Sequence, residues 1–158
     1  MDFVPFMFVE EVNHRLSLQD AQNLTHLSEN AWEEESSHRV ENAVNITFMQ
    51  LLDYLYYTVE PPTFSIEESR PVQIGRVCFK TEVLLDSDFV DQKTLKELQA
   101  MFSRARYPVD SVFSLESEFT PNEHSKLLLS SMRNIVDLNF PSAISPSLIQ
   151  KTINSIHI

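Results

Sequence analysis

Three histidines, one cysteine, a carboxylate run and scattered hydroxyls are the side chains here with spacing that could do chemistry. His14, His26 and His38 recur every twelve residues. Metal ligands must converge on one point, and a twelve-residue period hints at that only modestly, so surface histidines are the expectation. Cys78 sits within an apolar strand-like run, where a thiol is usually buried and inert. As the only cysteine it cannot form an internal disulfide, and no Cys/His zinc spacing exists. Serine, histidine and aspartate are all present, but no motif orders them as a triad. Gly75 is the sole glycine. Phosphate-cradling loops, dinucleotide fingerprints and nucleophile elbows need several, so none can be built. The expectation is a protein that is not an enzyme, with no cofactor and no metal. Glu33-Glu34-Glu35 reads most simply as a solvated helix face.

The elements that would position a site must then be sought in charge and periodicity. The formal net charge is -11. Such a surface repels phosphate backbones and anionic headgroups, so neither nucleic acid nor membrane is an expected partner. A basic protein surface suits it better. The single cysteine favours a reducing compartment, cytoplasmic or nuclear. The apolar run from Phe3 to Val9 lacks a basic flank and meets Glu10-Glu11, a poor signal peptide. Asn23 and Asn45 match a glycosylation pattern that means nothing in the cytosol.

Residues 5 to 16 read as a helix, with Phe8, Val9, Val12 and Leu16 at three- and four-residue intervals and Pro5 in the first turn. Ser17-Leu18-Gln19-Asp20 resembles a capping box opening a second helix that carries Leu18, Ala21, Leu24 and Leu27. A third helix is expected from about Asn30 to Asn42. Residues 44 to 50 read as a strand, 51 to 59 as either strand or buried helix, and 60 to 71 as a proline-broken loop. Val72 to Leu85 reads as a strand, 91 to 106 as a helix inward-facing through Leu95, Leu98, Met101 and Phe102, and 109 to 119 as a strand. Thr120-Pro121-Asn122-Glu123 opens a helix with Thr120 as N-cap, 135 to 140 is a strand, and Ser145-Pro146 starts a last helix. The fold class is α/β (or α+β). Strand–helix–strand alternation implies parallel pairing. The two late strands start at leucine-rich-repeat-like spacing, although two ordinary β-α units of one sheet would read the same way.

The N-terminal residues resemble the F-box, the helical motif by which substrate receptors dock on the Skp adaptor of cullin–RING ubiquitin ligases. Val4-Pro5 stands where the family has Leu-Pro, Phe8-Val9 for its apolar pair, Val12 for Ile and Arg15-Leu16 for Arg-Leu. Leu18-Gln19-Asp20 opens the second helix, Leu24 and Leu27 line its inner face, and Trp32 closes the motif. Met7 stands where an acid is common, Ala21 replaces the usual Leu, and Trp32 falls one residue later than the commonest spacing. The mixed β/α remainder looks like the expanded nematode F-box families.

The resemblance implies a Skp-binding helical motif at 1–43, with Pro5, Phe8, Val9, Val12, Leu16, Leu18, Asp20 and Leu24 on the docking face. It also implies a substrate-recruiting β/α domain at 44–158, short enough to be a small platform or a truncated one. The partners implied are the Skp-type adaptor, through it a cullin ligase, and a target protein. The rival expectation is a stand-alone interaction or structural domain, with the same apolar residues packed as core against residues 72 to 158. A helical unit this small cannot bury all of Phe3, Phe6, Met7 and Phe8, which favours a surface for a partner.

Overall fold

The computed structural model describes residues 5–13, 15–26, 30–67, 72–105, 108–116 and 119–140. Among these the order is α1 (Phe6–Asn13), α2 (Leu18–Leu24), α3 (Asn30–Glu41), β1 (Ala43–Leu51), β2 (Tyr54–Glu60), β3 (Gln73–Lys80), β4 (Asp88–Phe89), α4 (Gln92–Ser103), β5 (Val109–Ser114), α5 (Glu123–Ser131) and β6 (Ile135–Asn139). The fold is thus mixed α/β, with one six-stranded sheet in the order β4-β2-β1-β3-β5-β6.

The two edges of the sheet differ in origin. β1 and β2 form an antiparallel hairpin, Leu51 opposite Tyr54, so residues 51 to 59 are the turn and second strand of that hairpin rather than a buried helix. From β1 outward the pairing is parallel: β1 with β3, β3 with β5, β5 with β6. β4 adds two residues antiparallel to β2. It was absent from the sequence expectation, because two residues carry no period. β3 ends at Lys80 and β5 at Ser114, shorter than the apolar runs that suggested them.

Alternation along β1, with a register shift in β3 between Ile74 and Val77, places Val44, Ile46 and Phe48 on one face with Ile74, Val77 and Phe79, all buried in the main core. Leu95, Leu98, Met101 and Phe102 of α4 and Leu128 and Leu129 of α5 cover that face. Aromatic rings knit it together: Phe48 stacks on Phe79 at 5.1 Å between centroids, and Phe119 lies 5.6 Å from Phe79.

Each of these helices starts on a side chain that satisfies an otherwise orphaned N–H. Asp91 accepts from the Thr94 N–H at 2.7 Å to open α4. The cap of α5 is Asn122, whose Oδ1 accepts from the Ser125 N–H, and not Thr120 as the Thr-Pro spacing suggested. Gln50 of β1 decides this register. It accepts from the Asn122 N–H and the Ser125 hydroxyl and donates to the Thr120 carbonyl, pinning the helix start to the sheet. The expected helix from Ser145, with Leu148, Ile149, Ile153 and Ile156, lies outside the described residues.

Candidate protein-interaction surface

The expected docking residues fall on α1, α2 and the turn between them. Pro5 opens α1, its carbonyl accepting from the N–H groups of Phe8 and Val9. α1 stops at Asn13, not Leu16; Arg15 and Leu16 belong to the turn, held by N–H bonds to the Val12 and Asn13 carbonyls. Ser17 then caps α2 through half of the expected capping box, since Asp20 returns to the Ser17 hydroxyl and not to its backbone N–H. Its hydroxyl oxygen accepts from the Asp20 N–H at 3.0 Å, and its O–H donates to Asp20 Oδ2 at 2.8 Å.

The helical unit has a small interior of its own. Val9 and Ala21 are fully buried, together with the polar side chains of Asn13, Ser36 and Arg39. Ser36 Oγ donates to Asn13 Oδ1 at 3.2 Å. Arg39 of α3 is the hub. Its guanidinium donates to the Asn13 carbonyl, to the Leu16 carbonyl at 2.8 Å and to Gln73 Oε1 at 3.3 Å. One planar, multi-donor group therefore closes α1, fixes the turn and reaches the first residue of β3.

The unit sits at the starting ends of the parallel strands, opposite the face covered by α4 and α5. The Leu18 N–H donates to Asp110 Oδ1 on β5. A Cβ on Gly75 would stand 3.1 Å from Leu18 Cδ2 and 2.7 Å from Asn45 Oδ1.

The remaining surface sorts the docking candidates. Pro5, Phe8 and Asp20 are exposed; Val12, Leu16, Leu18 and Leu24 are half-buried. Val9 is a correction: with no exposed area it supports the surface from below and cannot touch a partner. The first turn of α1 is apolar and outward-facing, with Met7 80% exposed and Phe8 55% exposed. Trp32 meets Phe8 edge-to-face at 6.4 Å, so it braces that turn within the unit. Met7 and Phe6 were not assigned to the docking face from sequence; their side of α1 is visible only once the buried side is fixed by Val9 and Asn13.

Other singled-out residues fall in place. His26 and His38 are exposed, while His14 lies outside the described residues. Glu33 and Glu34 face solvent, but Glu35 turns inward and is buried, so the acidic run is not one solvated face. Cys78 is buried, and desolvation pushes its thiol pKa up. Among the described residues no group of three His, Cys, Asp or Glu side chains is placed to hold a metal ion. No helix among them is long and apolar enough to cross a membrane.

Comparisons with known family models, curated proteins and solved structures find no match to this chain.

Proposed function

We propose that the chain is a non-catalytic substrate-recognition adaptor of a Skp–cullin–F-box ubiquitin ligase, acting in the ubiquitin conjugation pathway in the cytoplasm or nucleus. The observation that supports this best is the exposed apolar first turn of α1, Pro5 to Phe8, anchored from beneath by Val9. Contiguous exposed apolar side chains mark interaction surfaces, and methionine and aromatics are enriched at the centres of such surfaces. In this role the N-terminal helices hold the Skp-type adaptor, and the β/α domain brings a target protein to the ligase. The chemistry belongs to the partner enzymes. The series β3, β5, β6, parallel neighbours in the sheet with α4 and α5 packed on one face, supports a leucine-rich-repeat-like platform, although β4, between β3 and α4 in the chain, leaves the series for the other edge.

One observation favours the rival role of a stand-alone interaction domain. Arg39 and Leu18 bond the helices to Gln73 and Asp110 of the sheet, as a core element would be bonded. Capture by an immobilised Skp-type adaptor separates the two. The expected result is capture of the wild-type chain and its loss in the Pro5→Ala, Met7→Asp double variant with unchanged circular dichroism. Failure of the wild type to be captured would sink the adaptor role and leave the stand-alone domain.

A further inference from the structure

At the opposite edge of the sheet, β4 pairs only with Tyr56 and Tyr57 of β2. The Leu55 carbonyl accepts from the Val90 N–H at 2.9 Å, which fixes the phase of the strand. Alternate residues of an antiparallel strand turn both backbone groups to one side, so Leu55, Tyr57 and Val59 face the β4 edge. β4 reaches only as far as Tyr57, and among the described residues no strand lies beside Val59.

Val59 lines a cleft of about 720 Å³ between β2, the loop after it and the start of α4. Among the described residues the lining bears Glu60, Glu67, Asp86, Asp88, Asp91 and Glu97 against one cation, Lys93. Lys93 already bonds Glu67 at 3.0 Å and Glu97 at 3.2 Å. Tyr57 lines the same cleft, and its phenol pKa is raised first by burial and then by Asp88, Glu97, Glu67 and Asp91. Several carboxylates thus bear on one aromatic ring, an environment that favours cations. These carboxylates stand on separate elements around the cleft, so the fitting ligand carries its charges spaced apart. Phe64, Ile66 and Leu84 supply apolar wall for the aliphatic stems of such charges.

We propose that this cleft receives an extended segment of a protein partner bearing lysine or arginine at alternate positions, added as a strand beside Val59. Main-chain bonds to an open edge give affinity in such recognition, and side-chain pockets give specificity. The acidic surface of the chain steers a basic partner toward it. The site is independent of Skp docking; under the adaptor role it is where the recruited protein is held.

The test uses the purified full chain without any Skp adaptor and a fluorescein-labelled peptide of alternating lysine and valine, read by anisotropy. Saturable binding is expected, weakened about tenfold or more in the Asp88→Asn, Glu97→Gln variant, as loss of close charge pairing implies. Nε-acetylation of the peptide lysines, or N-methylation of alternate peptide amides, should each abolish binding with the protein untouched. The Glu33→Gln, Glu34→Gln variant, which loses as many charges from α3, should bind as wild type. Absence of saturable binding, equal weakening by the α3 variant, or undiminished binding of the N-methylated peptide would each overturn the proposal.

Discussion

Leu18 of α2 and Gly75 of β3 meet so closely that a Cβ on Gly75 would stand 3.1 Å from Leu18 Cδ2. The chain's one glycine is therefore placed where the helical unit touches the sheet. Its backbone φ is not positive, so its role is room rather than conformational freedom. Asn45 closes the other side of the gap, its Oδ1 accepting from the Arg76 N–H at 2.9 Å where the β1–β3 register shifts.

Gly75→Ala should destabilise the fold by about 1–3 kcal/mol, the usual cost of overpacking. The crowded Asn45 oxygen cannot swing away without giving up the Arg76 N–H. Urea denaturation checks this, and Leu18→Ala in the same chain should restore little, because the Asn45 contact remains.

Arg39→Ala should cost about 3 kcal/mol or more, since it leaves two carbonyls and an amide oxygen without their buried donor. Arg39→Lys should recover only a small part. An ammonium is a point donor and cannot span the fork between Asn13, Leu16 and Gln73. Denaturant midpoints of the three proteins order the outcome.

On α1 the neighbours Met7 and Val9 should respond in opposite ways. Met7→Asp puts a charge on an exposed site and should change stability by less than about 0.5 kcal/mol. Val9→Asp buries an unpaired carboxylate and should unfold the helical unit or the whole chain. Thermal melts followed by circular dichroism distinguish the two.

Asp91 predicts a pH signature. The Thr94 N–H, and then the Thr94 side chain, hold its carboxyl below the ordinary value. A depressed folded pKa contributes stability that is fully present above the unfolded pKa and is lost as pH falls through the folded one. Asp91→Ala should therefore lower Tm at neutral pH, with the gap to wild type narrowing below about pH 4. Asp91→Asn, which can still accept the N–H, should show a smaller gap at neutral pH.

Where side-chain period and capping agreed, the elements were readable. α4 buries the four residues its spacing selected, and Ser17 caps α2 through the hydroxyl that the sequence put there. The β1–β2 hairpin was not readable, because its turn puts Leu52 at φ 54, a left-handed position usually given to Gly, Asn or Asp. The cap of α5 was misplaced because Gln50, far away in sequence, selects Asn122 over Thr120. The inward turn of Glu35 and the gathering of carboxylates around Tyr57 are likewise tertiary facts. Those acids lie on β2, β4, α4 and the loops between them, and only the sheet brings them to one cleft. The exposed side of α1 was half legible: the order of apolar residues marked the helix, but Val9, expected at the surface, is buried, and Met7, outside the expected set, is exposed.

The buried Arg39 bears on evolutionary modularity. A helical unit cut away and grafted onto a foreign scaffold would leave this guanidinium without Gln73 unless the new host supplied an acceptor at the same place. The two halves are thus constrained to diverge together. Recombination that exchanges the sheet domain behind a constant helical unit would succeed here only between parents sharing that glutamine or its chemical equivalent.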